Sequence, residues 1–179
     1  MKLPAHLIQK YVSQGKIKIL PSFEEENLRP VGLRIHLGNE LFLYDEGQII
    51  DIAENIIPSN TKIDISNTPF VLKPKQFILA PTKEKIWTSP EIICILDGRT
   101  TIARLGLTIH KTAQVADGNQ VQVQPIMLEI YNHSNVTYLL RSGIPIGCVL
   151  FEQLLEPISG MVKAGVNVDK SIELKYYGE

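Results

Sequence analysis

The sequence predicts a mainly β fold, a distorted β-barrel or jelly-roll-like sandwich entered through one helix. Three observations predict it. Apolar and polar residues alternate in many short segments after residue 15, turn residues separate those segments, and no long stretch of helical period lies between them. A doubly wound α/β fold would need such stretches as crossovers between parallel strands.

In chain order, the opening helix comes first. Pro4 suits its first turn, Leu7, Ile8, Tyr11 and Val12 fall on one face, and Gly15 ends it. KIKIL, GLRIHL and ELFLY then read as strands, each bounded by Pro, Gly, Asn or Asp. Residues 45–69 are polar with many Ile and no sustained helical period, which reads as loops and short strands. From Pro69 onward the strand candidates are FVLKPKQFILA, EIICILDG, IMLEIYNHS, VTYLLRSG and PIGCVLFEQL. Asp97-Gly98, Asp117-Gly118 and Ser142-Gly143 supply turns between them. TTIARLGL breaks the pattern and reads as a single helical turn. One domain over residues 1–179 is expected, with the more polar residues 160–179 as a mobile C-terminal tail.

Composition narrows the function classes. With 44% hydrophobic residues, 21% charged residues and a formal net charge of −1, the chain lies far from the composition of disordered proteins. The near-neutral balance argues against general nucleic-acid binding, which rests on an excess of Lys and Arg facing phosphates. No apolar run approaches the roughly 18–20 residues that cross a bilayer, so no membrane partner is expected. His6, Gln9 and Lys10 interrupt any secretory core at the N-terminus, and a cytoplasmic location is expected. Cys94 and Cys148 lie in apolar runs and read as small buried hydrophobes in a reducing compartment. Neither belongs to a zinc-finger spacing, and the His-x-Glu plus Pro-Cys-x-x-Cys signature of zinc nucleobase deaminases is absent, so no zinc is expected.

Two segments carry candidate chemistry. In Gly98-Arg99-Thr100-Thr101-Ile102-Ala103-Arg104, two arginines bracket two hydroxyls after an Asp-Gly pair. Guanidiniums, hydroxyls and backbone N–H groups could converge there on an oxyanion such as a phosphate. The plainer alternative is that Thr100 caps the turn and the arginines pair with surface carboxylates. In Pro125-Ile126-Met127-Leu128-Glu129-Ile130-Tyr131-Asn132, an extended strand puts Ile126, Leu128 and Ile130 on one face and Met127, Glu129 and Tyr131 on the other. A carboxylate in so apolar a strand either faces solvent as an ordinary surface Glu or is partly desolvated, which suits general acid–base work near neutral pH. Asp117 sits in VADGNQ at a turn that favours Asp for backbone reasons. His6, His36, His110 and His133 are scattered, and no Gly-x-Ser-x-Gly elbow or Walker-type phosphate loop occurs.

The order DGRTTIARLGLTIHKTA, VADG, MLEIYNHS, LLRSGIPIGCVLFEQL resembles the dCTP deaminase family of the dUTPase-like superfamily. RPVGLRIHLGN and FVLKPKQFILAPTKEKIWTSP extend the resemblance over nearly the whole chain. The resemblance implies a homotrimer with active sites shared between subunits and dCTP or dUTP as the bound nucleotide. Mg²⁺ is implied as an ion carried by the triphosphate. Glu129 then falls at the catalytic carboxylate, taking a proton from the water that attacks carbon 4 of cytosine, and Thr100 at the hydroxyl that holds this water or Glu129. Arg99, Thr101 and Arg104 fall where the family contacts the nucleotide or orders the site. Asp117 falls near the sugar, Met127 and Leu128 on the base-contacting strand, and Lys175 at the tail lysine that reaches the phosphates.

The chain also departs from that pattern. Both motif serines are threonines here, and their extra methyl crowds the water site. Arg34 replaces an Asp in Gly32-Leu33-Arg34-Ile35-His36-Leu37-Gly38, a reversal of charge, and Val115 stands where the monofunctional branch often has Arg. Three functions follow as expectations. The first is dCTP deamination. The second is dUTP diphosphatase activity, alone or added to deamination. The third is a non-catalytic nucleotide-binding module.

Overall fold

Helix α1 (Ala5–Ser13) forms where the apolar spacing predicts it, in a computed structural model that describes residues 1–54, 58–116 and 122–158. Ile8 is fully buried, Leu7, Tyr11 and Val12 pack against the core, and the chain leaves through Gly15 at φ 71°. Leu3 and Ile8 belong to a buried cluster that also takes Leu33, Val149 and Phe151 from one sheet, Ile78, Leu128 and Ile130 from another, and Leu72 and Leu140 from a third. Burying side chains of this size contributes about 1.5–3 kcal/mol each, which is why the alternating pattern decides the register.

Three antiparallel sheets surround that cluster. β1 (Ile17–Leu20), β3 (Glu40–Tyr44), β4 (Asn60–Asp64), β6 (Phe77–Thr88), β8 (Leu107–Thr108) and β10 (Gln124–Asn132) form a six-stranded sheet ordered β4-β3-β6-β10-β8, with β1 also pairing β6. β2 (Leu33–His36), β12 (Pro145–Gln153), β7 (Ile92–Gly98) and β9 (Val115–Ala116) form a second sheet in that order. β5 (Phe70–Leu72) pairs with β11 (Tyr138–Leu140). The second helix, α2 (Thr100–Arg104), is the single turn predicted between strands.

The mainly β, jelly-roll-like class holds, but the expected barrel does not close. Among the described residues the strands stay in three sheets, with strands of two residues, β8 and β9, at sheet edges. Register shifts interrupt the β10–β6 ladder at Pro125/Met127 and the β12–β2 ladder at Pro145/Gly147, each beside a proline that has no N–H to donate.

Two other expectations need correction. FVLKPKQFILA is not one strand: the chain turns at Lys75 (φ 61°), and its halves enter different sheets as β5 and β6. Asp97-Gly98 is not a turn, because Asp97 and Gly98 still pair with Cys148 and Gly147 of β12. Ser142-Gly143 does turn, with Gly143 at φ 76°. The Asp117-Gly118 turn and the tail assigned to 160–179 lie outside the described residues.

Candidate active site

The arginine-threonine segment and the Glu129 strand lead into two separate cavities. The first opens where β7 ends. Arg99 is still extended (φ −93°, ψ 135°) and is itself the N-cap of α2, with no side chain capping the turn. The capping role considered for Thr100 is therefore corrected: it is the first helical residue. Thr100 and Thr101 are exposed and line a cavity of about 490 Å³ with Arg29, Arg34 and Arg99.

The alternative pairing of these arginines with carboxylates is not found either. Arg99 Nη1 donates to the Pro145 carbonyl at 2.6 Å, and neither Arg99 nor Arg104 forms an ion pair among the described residues. Burial, and then the nearby Arg34 and Arg29 guanidiniums, lower the proton affinity of Arg99 from its ordinary value. Arg104 is exposed at the end of α2 and does not line this cavity. Ile102 anchors α2 by packing on the core. Gly106 (φ 77°) ends the turn, and its carbonyl accepts the His133 amide at 2.8 Å. That bond ties the exit of α2 to the exit of β10.

The second cavity, about 220 Å³, opens beside β10, with Glu129, Met127, Val115 and Cys94 among its lining. The predicted two faces of β10 are observed. Leu128 and Ile130 are fully buried and Ile126 packs against the same core while also touching the cavity, which Met127 and Glu129 line from the other face. Met127 also leans on a smaller cluster formed by Phe42 and Leu79. Leu128 thus lies in the core and its side chain does not line the cavity.

Glu129 is half-buried, and main-chain groups fix it on two sides. Its amide donates to the Ile109 carbonyl at 2.9 Å, and its Oε2 accepts the Lys111 amide at 2.8 Å. A hydrogen bond from a fixed N–H both orients a carboxylate and stabilises its charge. The Lys111 ammonium in turn lies 3.8 Å from the Tyr131 ring centroid. His110, between these two clamps, has a buried Nδ1 with no partner among the described residues.

Asn132, at the end of the same strand, has a structural task. Its buried side-chain amide donates to the Lys73 and Val136 carbonyls at 3.1 and 2.8 Å and accepts from the Ser134 amide at 3.0 Å. It pins the loop that follows β10.

The two cavities share no lining residue, so Thr100 and Glu129 of one chain face different spaces. Asp117 and Lys175 fall outside the described residues. Arg29 and Cys148 are cavity residues that the sequence reading missed, and Arg34 was noted only as a charge reversal. They come together through pairing of distant strands, for which the local sequence carries no signal.

A mainly β domain with a clamped carboxylate over one cavity and an arginine-threonine segment over another is the class that fold and site define. A family model described as dCTP deaminase-like matches residues 2–154, and the chain belongs to that family. A dCTP deaminase of Idiomarina loihiensis is 32% identical over 169 residues, spanning 88% of this chain and 85% of the relative. A "dCTP deaminase, dUMP-forming" of a Sulfurihydrogenibium species is 31% identical over 149 residues, spanning 82% and 81%. Among solved structures, the 2'-deoxycytidine 5'-triphosphate deaminase of Agrobacterium tumefaciens matches with a TM-score of 0.66 at 14% identity, over 86% of this chain and 48% of that chain. The chain thus spans about half the length of that solved protein, and the likeness is one of fold. The dUTPase-like fold expected from the sequence agrees with such neighbours, which include a dUTPase of Streptococcus mutans (TM-score 0.50, 17% identity, over 80% of this chain and 98% of that chain).

Proposed function

We propose that this chain deaminates dCTP hydrolytically, giving dUTP and ammonia, with Glu129 as general base. The observation that carries the reading is the Glu129 carboxylate, half-buried over a cavity and oriented by the Lys111 N–H, in a member of the dCTP deaminase-like family. Glu129 takes a proton from a water that attacks carbon 4 of cytosine. It then delivers protons to the ring nitrogen and to the departing ammonia, so that the carboxylate is regenerated. The Thr100 hydroxyl positions the water. Arg99, Thr101 and Arg104 meet the nucleotide, Asp117 the sugar, Met127 the base and Lys175 the phosphates, and Mg²⁺ enters as part of the triphosphate substrate.

The complete site on this reading lies between subunits of a homotrimer, with Thr100 and Arg99 from one and Glu129 from its neighbour. Support comes from the separation of the two cavities within one chain. A cytoplasmic location belongs to the same reading. Among the described residues no helix is long and apolar enough to cross a membrane.

One observation favours a second activity, cleavage of dUTP to dUMP and pyrophosphate. Val115 lines the Glu129 cavity and is exposed, where monofunctional deaminases often carry Arg.

Product analysis by ion-exchange chromatography after incubation with Mg²⁺ and either dCTP or dUTP tests both readings. Conversion of dCTP to dUTP is the expected result, and continuation to dUMP supports the second activity. Unchanged dCTP overturns the deaminase: dUMP formed from dUTP alone then means a diphosphatase, and silence on both nucleotides means a binding module.

A further inference from the structure

The cavity at the end of β7 holds more positive charge than the Arg99–Arg104 segment brings to it. β2, β12 and β7 place Arg34, Cys148 and Asp97 in one row across the sheet, since Cys148 pairs with both Arg34 and Asp97. Arg29 approaches from the turn before β2, where its amide donates to the Gly32 carbonyl at 2.9 Å. That turn sits tightly on β12. A Cβ at Gly32 (φ 103°) would stand 2.6 Å from the Val149 carbonyl oxygen and 3.0 Å from Cys148 Sγ.

Three guanidiniums therefore face one space against a single carboxylate, Asp97. None of Arg29, Arg34 or Arg99 has an ion-pair partner among the described residues. At Arg99, whose guanidinium donates to a main-chain carbonyl, burial and then the Arg34 and Arg29 charges disfavour the protonated form. Like charges gathered without counter-charges cost stability, and a polyanion that accepts several charge-assisted hydrogen bonds at once removes that cost. A neutral base or sugar would not.

We propose that Arg29 and Arg34 join Arg99 and the two threonine hydroxyls as a polyphosphate subsite, in which Arg34 makes the chain discriminate triphosphates from monophosphates. This rests on the nucleotide reading above and adds to it two residues that the Arg99–Arg104 motif does not contain. Arg34 carries the larger share, being half-buried in the row, whereas Arg29 is exposed.

The test uses inorganic tripolyphosphate, whose binding needs no turnover, measured by calorimetry on the wild type and on Arg34→Gln, Arg29→Gln and Lys10→Gln. The wild type is expected to bind it, with affinity falling steeply as salt is raised. Arg34→Gln weakens binding about tenfold, Arg29→Gln about threefold, and Lys10→Gln, at an exposed α1 residue that does not line the cavity, not at all. The preference for dCTP over dCMP narrows by about the same factor in Arg34→Gln. Thermal melts of each variant confirm that it is folded.

Absence of tripolyphosphate binding to the wild type overturns the proposal. So does equal binding by wild type, Arg34→Gln and Arg29→Gln, or equal loss in all three variants. Failure of the deaminase reading shows instead as intact dCTP with these binding differences preserved.

Discussion

Around Arg99 the chain runs off the end of a β7 strand, and three guanidiniums gather over a cavity whose hydroxyls are exposed. Around Glu129 it runs through an interior strand of the six-stranded sheet, between β6 and β8, where the Ile109 carbonyl holds the Glu129 amide and the Lys111 amide holds its carboxylate. The difference teaches where tolerance lies. A charge on an edge strand, such as the half-buried Arg34 of β2, can be exchanged at little cost to the core. A carboxylate whose strand neighbours, Leu128 and Ile130, are fully buried is placed by the core itself. Neither cavity contains the other's chemistry.

The largest expected effect separates the two sides by function. Glu129→Gln keeps the side chain's shape and its acceptor for the Lys111 amide but removes the base. Deamination should fall by about 10²–10⁴-fold while dCTP binding stays nearly unchanged. Deamination that survives this change would remove Glu129 from the mechanism. Arg104→Ala should lower both turnover and affinity, and normal kinetics would exclude Arg104 from the site.

A smaller effect separates the sides by stability. Asn132→Ala leaves the Lys73 and Val136 carbonyls without their donor and should destabilise the carboxylate side by about 1–3 kcal/mol, read from denaturant melts. Gly147→Ala tests the arginine side, because the added Cβ would lie 2.4 Å from Ile109 Cδ1 and 3.1 Å from the Asp97 carbonyl oxygen. A cost of about 1–3 kcal/mol is expected from that overpacking, with weaker polyphosphate binding as β7 shifts. A neutral Gly147→Ala would show that this strand contact is slack.

The mildest test uses the two thiols, since Cys94 borders the Glu129 cavity and Cys148 the arginine cavity. Burial pushes the Cys94 thiol up to about 12, and burial with the Asp97 charge also raises that of the half-buried Cys148. A thiol-titrating reagent near pH 8 should therefore modify Cys148 slowly, faster as pH rises, and leave Cys94 untouched until denaturant is added. Tripolyphosphate should protect Cys148. The folded Cys94 keeps its proton where the unfolded thiol, with an ordinary value of 9.0, loses it. Stability should consequently fall as pH rises from 9 towards 12, and the same melt on Cys94→Ala should lack that component.

Much of this architecture was legible in the sequence. The spacing of Leu7, Ile8, Tyr11 and Val12 identified α1, alternation identified β1, β2 and β3, and the run around Glu129 gave the buried face of β10. β6 was only half seen: the strand candidate FVLKPKQFILA stops at Ala80, whereas β6 runs on through Thr82 and Glu84 to Thr88. Both are buried with distant partners: the Thr82 hydroxyl accepts the Ile126 amide at 2.9 Å, and Glu84 meets His36 Nδ1 at 2.7 Å. The turn at Lys75 was hidden because a non-glycine residue adopts positive φ there. At the site, the motif residues could be read locally, whereas Arg29 and Cys148 join the cavity only through the β2–β12–β7 pairing.

The central claim is that a complete site draws Thr100 and Glu129 from different chains. Its most direct test co-refolds Thr100→Ala with Glu129→Gln in equal amounts and measures deamination against each variant alone. If sites are shared, random mixing restores both residues at roughly a quarter of the sites, and activity should rise to about that fraction of wild type. If each chain carries its own complete site, every site in the mixture retains one defect. Activity that stays at the level of the single variants would contradict the shared-site account.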